Sequence, residues 1–203
     1  VTIDAASYGE LLLFAVAAGD TVTALGTFTI ADGALTGSGT WKTDGNVVFS
    51  STANSAQSSS TGVLSMTGSS NRTYTYTGSV PTAHLKIDKS GGATVTPASG
   101  TTALNVSALT ITAGSFTAPS GTLTIGYAAN TATPLSVASG ATFTHNSGSI
   151  LFDSGASAGT STHTIDVATS LTLNNVTFTP GEYGDSMVFT TGAGDTITVA
   201  GTL

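Results

Sequence analysis

The sequence predicts an all-β protein, a parallel β-solenoid with a short N-terminal capping helix, and three observations lead to this prediction. From residue 20 onward, Thr alternates with Val, Leu, Ile, Phe or Tyr, which is the period of a half-buried strand. Gly- and Ser-rich turns separate these runs. An octapeptide recurs along the chain. An antiparallel β-sandwich is the alternative fold, because several Asp-Gly and Ser-Gly pairs also fit hairpin turns.

The predicted helix covers residues 7–18. Ser7 and Glu10 have the spacing of a capping box, in which each side chain satisfies a backbone donor at the helix start. An apolar run follows at residues 11–18, and Gly19 supplies a residue that ends a helix. We expect this helix to cover the open edge of the first coil. Residues 20–203 then form β coils, so the chain 1–203 is predicted to be one domain.

Internal repeats set the predicted length of a coil at about 20 to 30 residues. The segment 116–123 recurs 27 residues later at 143–150, and a looser copy lies at 28–35. A second echo joins residues 18–23 to residues 193–198. The last strand of this pattern contains the residues that we expect to form an edge for assembly: Thr196, Ile197, Thr198 and Val199.

Composition narrows the classes of partner. The chain of 203 residues has 11 acidic and 4 basic side chains and a net charge of −7. Nucleic acids and anionic membrane surfaces bind clustered basic residues, so neither is expected as a partner. The chain has no Cys, and its longest apolar run, residues 11–18, is too short to insert across a bilayer. No cofactor is predicted.

Two segments resemble known families. The predicted helix, followed by Gly19-Asp20-Thr21-Val22 and Gly26-Thr27-Phe28, resembles the cap and first coil of pectate-lyase-like right-handed parallel β-helix proteins. The Phe-Thr-x-x-Ser-Gly-x-Leu units resemble repeats of bacterial surface adhesins and autotransporters and of phage fibre and decoration proteins. Independently of these resemblances, a chain so poor in charge and so rich in hydroxyls is typical of extracellular, cell-surface or virion proteins. No position matches the calcium-binding carboxylates of the lyases, so the resemblance implies a fold without an activity.

Two groups of residues are candidate contact sites. Strand alternation places His84, Lys86 and Asp88 on one face, where they could hold a sugar carboxylate or form a solvated surface. Tyr74 and Tyr76 also share a strand face, and with Trp41 they could stack on a sugar ring or fill a core.

Further patterns favour no chemistry. The sequence Gly-Ala-Ser-Ala-Gly at 155–159 has the spacing of a nucleophile elbow, but no helix is predicted after it. His145, His163 and Asp166 lack the spacing of a metal site and fit exposed strand and turn positions. The acidic segment 182–185 could hold calcium but fits a plain turn better.

The sequence therefore predicts a non-enzymatic structural or adhesive module that acts by self-assembly, with other copies of itself as partners. Surface glycans are a second possible partner. The alternative functions are a carbohydrate-binding or polysaccharide-cleaving β-helix, suggested by the two candidate contact sites, and an ice-binding solenoid, suggested by the many Thr-x-Thr triplets.

Overall fold

A computed structural model describes residues 1–4, 13–50, 62–78, 83–126, 133–153, 160–168, 170–179 and 186–203. These residues form strands and turns and contain no helix. The first twelve strands are β1 (Thr2–Ile3), β2 (Leu13–Val16), β3 (Thr21–Ala24), β4 (Phe28–Ile30), β5 (Ala34–Gly37), β6 (Thr40–Thr43), β7 (Val47–Phe49), β8 (Val63–Met66), β9 (Arg72–Tyr76), β10 (His84–Asp88), β11 (Thr94–Pro97) and β12 (Ala103–Val106). The others are β13 (Leu109–Ala113), β14 (Ser115–Thr117), β15 (Thr122–Gly126), β16 (Leu135–Val137), β17 (Thr142–Thr144), β18 (Ser149–Asp153), β19 (Thr160–Val167), β20 (Ser170–Leu173), β21 (Asn175–Thr179), β22 (Ser186–Thr191) and β23 (Thr196–Val199).

The strands form five sheets. Sheet 1 has the order β22-β19-β16-β13-β10-β8-β6-β3, and sheet 2 has the order β1-β4-β7-β9-β11-β14-β17. Sheet 3 is β12-β15-β18-β21, sheet 4 is β2-β5 and sheet 5 is β20-β23. Every ladder between these strands is parallel. The antiparallel sandwich is therefore wrong, since hairpin turns join antiparallel strands.

The chain visits the sheets in a repeating cycle. In a complete passage a strand of sheet 1 is followed by one of sheet 2 and then by one of sheet 3, as in β13, β14 and β15. From β6 to β11 the described strands alternate between sheets 1 and 2. Sheet 4 takes the place of sheet 3 early in the chain, and sheet 5 takes the place of sheet 2 at its end. We call one such passage a circuit. Paired residues in neighbouring circuits lie between 19 positions apart, for Thr21 and Thr40, and 30, for Leu135 and Ile165. Parallel strands in stacked sheets are compatible with a β-solenoid.

The octapeptide repeat marks this stacking directly. Phe116 pairs with Phe143 in sheet 2, and Leu123 pairs with Ile150 in sheet 3. The 27-residue recurrence in the sequence is therefore the distance between partners on adjacent strands. The stacking also brings identical side chains together, because the rings of Phe116 and Phe143 lie 6.1 Å apart between centroids.

The second echo has a different basis. Gly19 and Gly194 both adopt the left-handed conformation, with φ of 85° and 86°, at a turn that leads into a strand. The strands that follow belong to different sheets, β3 to sheet 1 and β23 to sheet 5. The echo therefore reports the same local turn rather than the same place in a circuit.

The predicted capping helix is wrong where the structure describes it. Leu13–Val16 forms β2, which pairs with β5. A short apolar run without a clear periodicity fits a buried strand as well as a helix. Here the close approach of Gly37 to Val16 favours the strand. A Cβ at Gly37 would overlap the backbone of Val16, so the glycine lets the two strands meet. Ser7 and Glu10 lie outside the described residues.

The core is a set of inward-facing columns between the sheets. One column of sheet 1 stacks apolar side chains from consecutive circuits. A second column runs beside it two residues further along each strand and is apolar except for the buried Thr43. The first column contains Val22, Trp41, Leu64, Leu85, Leu109, Leu135 and Ile165. The outward positions between them are largely Thr, Ser and charged residues, which explains the strict alternation of the sequence.

Candidate functional site

The polar face predicted on β10 is present. His84, Lys86 and Asp88 are half-buried and alternate with the buried Leu85 and Ile87. The ammonium of Lys86 lies 3.5 Å from a carboxylate oxygen of Asp88. These three side chains lie on the outer surface of sheet 1.

Neighbouring hydroxyls tie this face to the next circuit. His84 Nε2 lies 2.8 Å from the hydroxyl oxygen of Thr110, and Thr112 donates a hydrogen bond of 3.0 Å to Asp88. Burial and the charge of Lys86 lower the pKa of His84 below its ordinary value of 6.5. The neutral imidazole is thus favoured, and the arrangement links circuits through uncharged and charge-assisted hydrogen bonds.

The aromatic candidates lie in the core. Trp41 and Tyr74 are fully buried, and Tyr76 is only 9% exposed. Tyr74 stacks on Phe116 at 5.5 Å between ring centroids, and its hydroxyl donates to the carbonyl of Thr117 at 3.1 Å. A sugar ring has no access to such faces, so the structure favours packing over carbohydrate contact for these rings.

A charge cluster around the buried Lys89 is the feature that the sequence reasoning missed. Lys89 is 1% exposed, and its ammonium lies 3.6 Å from the Asp44 carboxylate and donates to the carbonyl of Thr67. Arg72 lies 3.8 Å from the same carboxylate and donates from Nε to the carbonyl of Asp44. The sequence did contain a signal for its burial: Leu85 and Ile87 face inward, and continuing this alternation places Lys89 inward as well.

This cluster holds three successive circuits together at one corner. Burial lowers the pKa of Lys89 below its ordinary value of 10.5, the carboxylate of Asp44 opposes that shift, and Arg72 adds to it. A Cβ at Gly68 would overlap the Asp44 carboxylate, so the glycine makes room for the charge. The corner is a structural cross-link, since its charged groups are engaged with one another and with backbone carbonyls.

The other residues that the sequence analysis considered for a metal site do not lie together in one site. His163 is buried against Phe189, at 5.5 Å between ring centroids, and His145 accepts a hydrogen bond from the backbone N–H of Ser147. Asp166 is exposed on β19. Within the described part of the chain, no group of three His, Cys, Asp or Glu residues could hold a metal ion. Residues 155–159 and 182–185 lie outside that part.

The last circuit has an incompletely covered apolar layer. The inward-facing Phe178 on β21 is 38% exposed, whereas the inward residues of earlier circuits are mostly buried. Val188 on β22 is 40% exposed, but it pairs with the exposed Thr162 and faces outward. Phe178 contacts Phe152 and Phe189, with ring centroids 5.4 and 4.3 Å apart. Ile197 of β23 is partly buried against the same core. One side of this layer lies on the preceding circuit, and the other meets solvent.

The strands that carry this layer also end their sheets. Among the described residues, β21, β22 and β23 each pair with a strand on one side only. The predicted edge residues Thr196–Val199 form β23 and pair with Ser170–Leu173. Ala200 donates its N–H to the carbonyl of Leu173. Since backbone groups alternate in direction along a strand, the N–H groups of Ile197 and Val199 point away from β20.

No protein-family model, curated protein or solved structure matches the chain. The described residues also provide no helix long and apolar enough to cross a membrane.

Proposed function

We propose that this chain is a β-solenoid module that serves as a structural building block of an extracellular appendage, a cell surface or a virion, and that it acts through self-assembly rather than catalysis. The observation that carries the proposal is the last circuit. Among the described residues, an exposed inward side chain, Phe178, and strands paired on one side only, β21 to β23, coincide there. Uncovered sheet edges of this kind are sites of strand addition.

The outer surfaces support the same role. Their outward strand positions are rich in Thr and Ser, whose hydroxyls remain hydrated, and charged residues are only 7% of the chain. The charge cluster around the buried Lys89 joins circuits. The hydroxyl-rich outer faces and the charge cluster therefore support a structural role for the stack.

The test compares two variants on one strand. Phe178→Asp puts a charge into the apolar layer, whereas Thr177→Asp puts the same charge on the opposite, outward face of β21. We expect the wild type and Thr177→Asp to show a rise in mass with concentration by sedimentation velocity, and Phe178→Asp to remain a monomer of 19.9 kDa. A wild type that stays monomeric at every concentration would refute the proposal.

Carbohydrate binding is the second candidate, and the polar face of β10 is the observation that favours it. His84, Lys86 and Asp88 are accessible, beside the hydroxyls of Thr110 and Thr112. A panel of acidic and neutral glycans tests this role. Binding that is lost in Lys86→Ala would support it, and no binding by the wild type would remove it.

A further inference from the structure

The outer face of sheet 2 consists almost entirely of threonine. Four neighbouring strands of this sheet, β9, β11, β14 and β17, each carry a triplet in which two hydroxyl side chains flank an inward apolar or aromatic residue. The triplets are Thr73-Tyr74-Thr75, Thr94-Val95-Thr96, Ser115-Phe116-Thr117 and Thr142-Phe143-Thr144. Their middle residues are buried, whereas the hydroxyl residues are half-buried or exposed. We call these eight hydroxyl residues the threonine face; seven are Thr and one is Ser.

Ladder pairing arranges the threonine face in columns across the strands. One column contains Thr73, Thr96, Thr117 and Thr144, and the next contains Thr94, Ser115 and Thr142. Neighbouring strands of a sheet lie about 4.8 Å apart, and residues two apart along a parallel strand lie about 6.6 Å apart. The face therefore repeats hydroxyl and methyl groups in two dimensions at nearly constant spacing.

The threonine face is more uniform than the other described surfaces. The triplet Thr110-Ile111-Thr112 of sheet 1 lies beside Lys86 and Asp88 of β10. In sheet 3, Thr124 pairs with Leu151, an apolar residue that breaks the array. Among the described strands, only those of sheet 2 place such triplets on four neighbours in succession. The Thr-x-Thr pattern of the sequence therefore becomes a continuous array on this one side of the described stack.

The layer beneath the threonine face fixes its geometry. The rings of Tyr74, Phe116 and Phe143 stack under it, with centroids 5.5 and 6.1 Å apart. At one margin, Asn71 Oδ1 accepts a hydrogen bond of 3.0 Å from the N–H of Thr94, which ties the start of β11 to the residue before β9. Threonine is itself stiff, because branching at Cβ restricts χ1. The hydroxyl and methyl groups therefore hold their positions before any ligand arrives.

We propose that the threonine face is an ice-binding surface, with crystalline water as its ligand. This further function uses a side of the stack and does not depend on self-assembly. Threonine hydroxyls donate and accept hydrogen bonds as lattice waters do, and the methyl groups between them order the first water layer. The two spacings of the face approximate repeat distances between oxygen atoms on the prism plane of hexagonal ice. Charged groups, whose hydration shells do not fit a lattice, are absent from the face.

Two lysine variants test the assignment of this function to sheet 2. Thr96→Lys puts a long charged side chain in the middle of the threonine face, whereas Thr124→Lys puts the same side chain on the outer face of sheet 3. Both threonines are half-buried and have a paired strand on each side, so the two changes are matched in charge and setting. We expect thermal hysteresis and inhibition of ice recrystallisation from the wild type and from Thr124→Lys, and the loss of both from Thr96→Lys.

A gain of activity gives a test that misfolding cannot imitate. Ser115 is the one position of the threonine face without a methyl group, and it lies between Thr94 and Thr142. Ser115→Thr completes that column, so thermal hysteresis at equal protein concentration should rise. An unchanged or smaller hysteresis would contradict the array as the source of the activity.

The other outcomes are equally decisive. A wild type without hysteresis and without inhibition of recrystallisation overturns the inference and leaves the proposed function untouched. Full activity of Thr96→Lys, or an equal loss in Thr96→Lys and Thr124→Lys, overturns the assignment to sheet 2. Circular dichroism and the melting temperature of each variant show whether a loss of activity is a loss of fold.

Discussion

The ring column in the core gives the sharpest measure of how well the last circuit is covered. Phe116 is fully buried and lies between Tyr74 and Phe143, at 5.5 and 6.1 Å between ring centroids. Phe178 also has two aromatic neighbours but is 38% exposed. Phe116→Ala and Phe178→Ala therefore remove the same side chain from two positions that differ mainly in cover.

The expected losses follow from burial. Truncating a fully buried Phe to Ala lowers the free energy of unfolding by about 3 to 5 kcal/mol, through lost transfer energy and the cavity left behind. We expect this loss for Phe116→Ala, with a fall in melting temperature of about 6 to 20 °C for a chain of this size. Phe178 retains roughly three fifths of full burial, so about 2 to 3 kcal/mol is expected for Phe178→Ala.

The assay is chemical denaturation at a concentration where the wild type is monomeric, followed by sedimentation at higher concentration. Phe178→Ala should weaken assembly more than Phe116→Ala does at a temperature where both are folded. Equal losses of stability in the two monomers would refute the reasoning, since they would show that the last layer is covered as fully as an interior one.

Three further predictions concern corners and charge. Gly68→Ala should lose more stability in thermal denaturation than Gly92→Ala: both glycines have positive φ, but only at Gly68 does a Cβ overlap Asp44. Because the pKa of Lys89 is lowered on folding, stability should rise with pH in the alkaline range below about 10.5, and Lys89→Met should flatten that rise. Because the pKa of His84 is also lowered, acidification below 6.5 should reduce stability, and His84→Gln should weaken this dependence.

The sequence predicted the β content and the 27-residue separation of one set of strand partners because both follow from repeating patterns along the chain. Alternation of Thr with apolar residues specifies which face is buried, as on β10. The recurrence of Phe116 at Phe143 specified one pair of partners in register. Stacking like residues on like residues is what a parallel repeat does, so self-similarity in sequence becomes contact in the structure.

The helix failed because its signals were local and its true partner is distant. The apolar run at residues 11–18 fits a helix as well as a buried strand by composition. Pairing of Leu13–Val16 with Ala34–Gly37 depends on the close approach at Gly37, which the run itself does not reveal. Tertiary pairing therefore overrides the local apolar pattern at Leu13–Val16.

The buried Lys89 was missed for a different reason. The segment from Asp88 to Ser90 reads as a polar corner, and composition alone predicts exposure. The corner turns only after one more inward position, so a long aliphatic stem enters the stack and its ammonium meets Asp44 from an earlier circuit. Charge partners that lie two circuits apart have no signature in a one-dimensional pattern.

We propose association through a sheet end because the sides of the stack offer less stabilisation. Side surfaces present Thr and Ser hydroxyls that can bond to water, so bringing two of them together exchanges equivalent hydrogen bonds and buries little apolar area. At the C-terminal end, Phe178, Ile197 and Val199 combine uncovered apolar groups with backbone donors that point outward. A contact there gains apolar burial and ladder hydrogen bonds at once.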